Sequence, residues 1–457
     1  MSEDVSMNDL TDRLRGAPAM LAIWDGAATL RAMLRVEAGL ARACAAQGVI
    51  PASAVPAIER ACQTAALDAE ALKEAAALAG NLAIPLVKQL TAAVAREDAE
   101  AARYVHWGAT SQDIIDSATL LQLRAAFEQI DAGLQTLASA LARQARLHRD
   151  TVMAGRSWMQ QALPVTLGLK LAQALDAVER HRQRLAETRA RVLRLQFGGA
   201  AGTLASLGAQ APAVAAALAD DLGLPLPALP WHTQRDRVAE AGALMGLIIG
   251  TLGKLARDIA LQAQTEVGEL REPAAPGKGG SSTMPHKRNP VGCAAILSAA
   301  LRAPQLVATL LSAMVQEHER ALGGWQAEWD TLPELAILAS GCLSNAAQII
   351  AGLEVDAARM RRNLESGGGQ MMAEAVMLAL GAQAGRLQAH GWVEEAVQQA
   401  EARGLPLLDV LAADARIARY LSRPRLAELL SPDHYTGQSQ AYVDAVLASS
   451  SNGKTHG

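Results

Sequence analysis

Residues 277–290 read GKGGSSTMPHKRNP, and no other stretch gathers so many groups that could do chemistry. Gly277, Gly279 and Gly280 lead into Ser281 and Ser282, and Lys287, Arg288 and Asn289 follow closely. Glycine lets backbone approach a ligand. Hydroxyls, cations and an amide in one short segment suit an anionic substrate. Apolar, helix-patterned sequence lies on both sides. A polar loop held in a rigid frame is where binding and catalytic groups concentrate.

The frame is helical. The chain has 457 residues, of which 51% are hydrophobic and only 3% aromatic, and alanine is abundant. That balance favours helix over strand and predicts an all-α fold with a large core. Net charge is −4 and the isoelectric point about 6.2, so no basic excess drives nucleic-acid binding. Cys44, Cys62, Cys293 and Cys342 form no CxxC pair and read as buried free thiols. The first 16 residues carry acids and no apolar run, unlike a signal peptide. The most apolar run, 241–253, is too short to span a bilayer. A cytoplasmic protein without membrane partners is the expectation.

Residues 1–24 read as loosely organised, and a helix is expected over 25–47 with Asp25 as N-cap and Gly48 as stop. Leu120, Leu123, Phe127, Ile130, Leu134, Leu137 and Leu141 alternate spacings of three and four, a long heptad seam. Further helices are expected over 165–197, from 231, over 291–316 with a kink at Pro304, and over 332–353. The arginines between 180 and 194 suggest a solvated or intersubunit face. The Gly-rich stretch 197–208 lacks GxGxxG spacing after a strand, which excludes a dinucleotide site. Long helices that cannot hide their apolar faces alone imply a bundle and subunit association. The expected domains are 1–110, a central long-helix bundle over 111–355, and a small helical domain over 356–457.

GSSTMPHKRNP closely resembles the signature loop of the fumarase/aspartase superfamily. HWGATSQD and GRSWMQQALPVTLG resemble its other two shared regions, in the same order and spacing, and the likeness covers essentially the whole chain. RYVHWGATSQD, PWHTQRDR, APGKGGSSTMPHKRNPVG and QEHERALGGWQAEWDTLP resemble the bacterial branch that lactonises carboxymuconate. The resemblance implies a three-domain all-α fold and a homotetramer whose central domains form one helical bundle. It implies active sites assembled from three subunits, a small tricarboxylate substrate and no cofactor. Residue by residue, Ser281 matches the proton-transfer serine, with Ser282 beside it as the alternative. Lys287 and Asn289 match a carboxylate-binding pair, and Thr110 and Ser111 match substrate hydroxyls. His106 matches a substrate-contact histidine or is a turn residue, and Gln234 matches a substrate-side glutamine or caps a helix. Arg320 is a candidate for a second carboxylate, or else a surface ion pair, and Gln160 is a candidate lining residue.

Two departures select the reaction. Hydratases and amine-releasing lyases of the superfamily carry histidine where this chain has Trp158, and glutamate where it has Ala294. Indole transfers no proton at neutral pH. A hydroxide or amine leaving group needs that acid–base pair, whereas a carboxylate nucleophile, ionised above about pH 4, does not. Loss of both halves therefore favours attack by a substrate's own carboxylate, with Ser281 left to protonate the carbanion. Trp329 stands where nucleotide-specific relatives place a phosphate-binding arginine, which argues against a nucleotide substrate. The other readings are a lyase releasing fumarate and a catalytically silent structural homologue. Retention of Ser281, Lys287 and Asn289 speaks against silence.

Overall fold

The computed structural model describes residues 7–280, 283–284 and 286–452. Ser281 and Ser282 lie outside the described residues.

Helices come in the order α1 (Met7–Arg15), α2 (Pro18–Ile23), α3 (Gly26–Ala46), α4 (Val55–Thr64), α5 (Ala69–Ala79) and α6 (Ala83–Glu97). Next come α7 (Ser111–Leu147), a hairpin of β1 (Val152–Ser157) and β2 (Gln160–Thr166), α8 (Leu167–Val192) and α9 (Ala211–Leu222). Then follow α10 (Asp236–Gln262), β3 (Leu270–Arg271), α11 (Val291–Ala313), α12 (Gly324–Ala351), β4 (Glu354–Val355) and α13 (Ala357–Glu365). Six helices close the described chain, from α14 (Ala373–Ala384) to α19 (Ser439–Asn452). The expected all-α class is what the protein adopts; among the described residues its strands are one hairpin and one two-residue ladder.

Local chemistry accounts for several boundaries. Asp25 caps α3 as expected, its Oδ1 accepting from Ala28 N at 2.6 Å, and Gly48 leaves the helix at φ 69°. Every residue of the α7 seam is buried, from Leu120 at 2% exposed to Leu141 at 0%. Other boundaries differ from the sequence reading. Residues 7–23 form α1 and α2 instead of a loose lead-in. Helix α8 begins at Leu167, because Val165 pairs with Met153 in the hairpin. It ends at Val192, because the next backbone groups are taken elsewhere: Leu195 N donates to Pro225 O and Ser117 Oγ to Gln196 O. Helix α12 starts at Gly324 and carries Pro333 inside. The ring of Trp325 packs edge-on against Trp329 at 4.9 Å, which supports the turns preceding the proline.

The chain divides into two compact units. The first holds the segment ending at Leu134, His181–Leu252 and Ser298–Ser344. There α3 packs on α4 and α9, and Arg42 Nε reaches Asp221 Oδ1 at 2.6 Å. The second holds Gln135–Arg180, Gly253–Leu297 and the chain from Asn345 onward. It has a core cluster that includes Leu380, Val393, Leu407, Leu411 and Leu426. Cys44, Cys293 and Cys342 are buried as expected, whereas Cys62 is only partly so.

Helices α10, α11 and α12 are long and apolar enough to cross a membrane by length and composition. The short run 241–253 is part of one of them. Only 22% of the apolar window of α11 is buried within this chain, with Leu301 75% and Leu311 53% exposed.

Phe127 is completely buried in the α7 seam. Phe127→Ala is expected to cost about 3–5 kcal/mol, through lost transfer energy and a residual cavity. A urea unfolding curve should show a lower midpoint with little change in slope.

Candidate active site

The turn before α7 carries His106, Thr110 and Ser111. Its backbone enters the left-handed region at His106 (φ 59°) and Gly108 (φ 78°). A side chain at position 108 would meet Leu207 Cδ2 at 2.6 Å, so glycine keeps the 197–208 loop in contact. Thr110 precedes the helix and Ser111 begins it. Thr110 N donates to Asp113 Oδ2 at 3.0 Å, and Asp113 N donates back to Thr110 O at 3.0 Å. This reciprocal cap holds both hydroxyl-bearing residues half-buried at a helix N-terminus.

Asp113 does more than cap. It is 1% exposed and accepts from Gly198 N and Gly199 N, both at 2.9 Å. Its Oδ1 also lies 2.8 Å from His232 Nε2 and 3.3 Å from Gln196 Nε2. Gln196 Oε1 in turn accepts from Trp231 N at 2.7 Å. One carboxylate thus ties the 106–113 turn, the Gly-rich loop and the 231–235 turn together. Gln234 sits exposed in that last turn, its N donating to Trp231 O, and its side chain makes no capping hydrogen bond among the described residues. Arg320 is half-buried, and its Nη2 donates to Ala200 O at 2.8 Å in the same Gly-rich loop. It bonds a carbonyl here rather than forming a surface ion pair.

One turn further along α7, Asp116 anchors a second buried cluster. Arg235 Nη1 donates to Asp116 Oδ2 at 2.7 Å and its Nε to Glu328 Oε1 at 2.9 Å. Trp325 Nε1 donates to Asp116 Oδ1 at 3.0 Å. Burial opposes the charge of Arg235, but the two carboxylates outweigh it and hold the guanidinium protonated. Burial pushes the Glu328 carboxyl above its usual range, against the pull of Arg235. A cavity of about 440 Å³ lies beside this cluster, lined by Arg15, Trp24, Trp231 and Trp329 among others. His106, Thr110, Ser111, Gln234 and Arg320 do not line it.

The second unit holds Gln160, Lys287 and Asn289. Trp158 and Met159 turn the β1–β2 hairpin with φ 52° and 66°, the double left-handed geometry that matches strand twist. Trp158 is 96% exposed. Arg156 is clamped bidentately by the buried Glu269, at 2.9 and 2.6 Å, and Asn363 Nδ2 reaches the same carboxylate at 2.8 Å. Gln160 is exposed and borders a cleft of about 570 Å³ together with Arg156, Gln161, Arg359 and Arg362.

The signature loop is pinned at its stems. Asn289 N donates to Gly279 O at 2.8 Å, and a side chain at 279 would strike Asn289 O at 2.5 Å. Glu272 caps α11 from a distance, accepting from Cys293 N at 2.7 Å, and also meets Lys278 Nζ at 3.2 Å. Arg288 bridges Glu354 at 2.8 and 2.9 Å and donates to Glu272 O at 2.8 Å. Lys287, next to it, is exposed and has no side-chain partner among the described residues. Ala294 is exposed on α11.

Residues 13–304 match a family model described as Lyase. The chain belongs to this lyase family, within the fumarase/aspartase superfamily. Residues 369–446 match a second model, described as adenylosuccinate lyase C-terminus. Among lyase relatives, the chain is 55% identical to a 3-carboxy-cis,cis-muconate cycloisomerase of Pseudomonas aeruginosa, over 97% of each. It is 52% identical to the enzyme of the same name from Bradyrhizobium diazoefficiens, over 97% of this chain and 98% of that one. Among solved lyase structures, the 3-carboxy-cis,cis-muconate lactonizing enzyme of Pseudomonas putida superposes with a TM-score of 0.93 at 51% identity, covering 97% of this chain and 99% of that one.

Sequence reasoning passed over Asp113, Asp116, Arg235 and Glu328. One sign of Asp113 was present: a threonine three residues before an acid at a helix start is a capping pattern. Apart from Gln112, whose Nε2 donates to Asp116 Oδ2 at 3.2 Å, the partners of the other three lie far away in sequence and leave no local trace.

Asp113→Asn replaces an acceptor by an amide that faces donors on every side. The expected loss is about 3–5 kcal/mol, read as a lower thermal midpoint, with Asp113→Ala at least as severe.

Proposed function

We propose that this chain isomerises 3-carboxy-cis,cis-muconate to its γ-lactone, 4-carboxymuconolactone, in protocatechuate breakdown. One observation carries the reading: a chain 55% identical to an enzyme of that name lacks histidine and glutamate together, at Trp158 and Ala294. The substrate's own carboxylate attacks its double bond. A C–O bond forms, and the π electrons move to the neighbouring carbon, where the adjacent carboxylate spreads the charge. A proton then completes the C–H bond. The nucleophile is ionised at neutral pH and tethered to its target, so the oxygen side needs position and no base.

Ser281 is the proposed proton donor, acting beside Lys287 and Asn289, which bind the carboxylate that takes up charge. The ammonium of Lys287, unpaired among the described residues, and the pinned backbone of Asn289 support those roles. Thr110 and Ser111, held by Asp113 at a helix N-terminus, supply hydroxyls to a second carboxylate. Arg320, His106, Gln234 and Gln160 complete the contacts to a tricarboxylate.

The working form in this proposal is a cytoplasmic homotetramer that needs no cofactor, with a central bundle over 111–355 between the two smaller domains. The exposed apolar surface of α11, set against named relatives that act on a small acid, supports helix faces covered by other copies rather than by lipid. The gap between the family matches, 304 to 369, brackets the proposed boundary at 356. A second reading, fumarate release from a succinyl adduct, draws on the adenylosuccinate lyase match at the C-terminus.

Incubation of the pure protein with 3-carboxymuconate should abolish the diene ultraviolet absorbance. Absence of that loss, with fumarate released from adenylosuccinate or argininosuccinate, would select the second reading. Ser281→Ala should lower kcat by about 10²–10⁴ with the oligomer unchanged by light scattering. Near-normal turnover in that variant would reject serine as the proton donor.

A further inference from the structure

Glu37 is a carboxylate in the wrong place for a structural acid. It lies on α3 between Val36 and Ala38 and is 1% exposed. Its Oε1 sits 2.6 Å from His106 Nδ1, and its Oε2 is buried with no hydrogen-bond partner. Lysine and arginine make no hydrogen bond to it among the described residues. A buried carboxylate without a cation is expensive, and one unbonded oxygen adds to that cost. His106 is the group that can neutralise it.

The geometry is asymmetric. Nδ1 faces Glu37, so the ring nitrogen left for other partners is Nε2, which bonds no described residue. The imidazole side chain is 19% exposed, its backbone is left-handed at φ 59°, and the contact to Glu37 sets which edge of the ring faces away from that carboxylate. We infer that Glu37 is a positioning residue that takes Nδ1–H of His106, favours the imidazolium over the neutral ring, and so presents Nε2–H to a carboxylate of the substrate. This rests on the proposed function for the identity of the substrate, but the Glu37–His106 linkage itself does not.

The surroundings agree. Burial alone would make His106 harder to protonate, yet Glu37, by charge and hydrogen bond, and Asp113, by charge, outweigh burial and raise its pKa. Other titratable neighbours offer no competing cation. Cys62 on α4 feels the charge of Glu37, and its thiol is pushed up to about 12, chiefly by burial. Cys44 on α3 is raised to about 12 by burial, and its Sγ lies 3.9 Å from Trp107 O. Arg42 on α3 is engaged by Glu59 on α4 and by Asp221 on α9. His106 thus remains cationic to higher pH than a free imidazole, which suits a site for a multiply charged anion.

A raised pKa keeps the imidazolium below that pKa and loses it as pH rises through it. Glu37→Gln preserves shape and an acceptor for Nδ1–H but removes the charge. The alkaline limb of kcat/KM should therefore move down by on the order of one pH unit, mostly through KM, with activity at low pH little changed. In a His106→Gln background, Glu37→Gln should add nothing further. Nitrogen-15 histidine spectra of the wild-type oligomer should show His106 protonated at Nδ1 and titrating above 6.5. A limb that stays put with lower thermal stability, additive effects in the double variant, or a His106 that titrates at or below the free value would each overturn the assignment. The spectra need no turnover. If the protein fails to act on 3-carboxymuconate, the linkage stands or falls on them alone, as it does if Glu37→Gln fails to fold.

Discussion

Two buried aspartates, one helical turn apart at the start of α7, constrain the first unit more than any apolar contact does. Asp113 takes hydrogen bonds from Thr110, Gly198 and Gly199 and pairs with His232, while Asp116 takes them from Arg235 and Trp325. A charge moved out of water must recover its solvation from fixed partners. These partners come from segments up to 209 residues away along the chain. Apolar packing tolerates small shifts, but a carboxylate surrounded by donors at 2.7–3.0 Å does not. The turns that carry Thr110, Ser111 and Gln234 therefore inherit their placement from charge satisfaction.

The second unit uses the same device at smaller scale. Glu269 clamps Arg156 beneath the hairpin, and Glu272 caps α11 while meeting Lys278. Arg288 closes the frame by holding Glu354. In the signature motif the arginine is thus spent on structure, while its likewise exposed neighbour Lys287 has no side-chain partner among the described residues. The motif KRN alone gives no hint of that division, since both cations are equally plausible anion ligands by type.

What the sequence disclosed and what it hid divide along physical lines. The α7 seam was legible because burial on one face of a long helix imposes a period, and every seam residue from Leu120 to Leu141 is buried. Asp25 and Gly48 were legible because caps act within a few residues. The β1–β2 hairpin was not: its turn is Trp158–Met159, where left-handed pairs are usually Asn-Gly, and the flanking strands alternate poorly. Pro333 misplaced the start of α12, because a proline inside a helix reads as a boundary until tertiary contacts hold the turn before it. Of the site, the motif residues were readable by type and order. The acids that position them were not, because their meaning depends on donors brought together only by folding.

The chemistry of the two histidine–glutamate arrangements draws these points together. Superfamily members that expel hydroxide or amine need such a pair as an acid–base device, and here Trp158 and Ala294 stand in its place, both exposed within a single chain. Another such pair, Glu37 and His106, is present in the first unit and is built differently. Its glutamate is buried and its histidine is held toward the charged form by that glutamate against the effect of burial. A fixed imidazolium is a poor general base but a good counter-ion. A substrate that brings its own nucleophile loses the need for the first kind of pair. A substrate that carries three carboxylates keeps the need for the second, because each negative charge taken from water requires a positive or hydrogen-bonding group already in position.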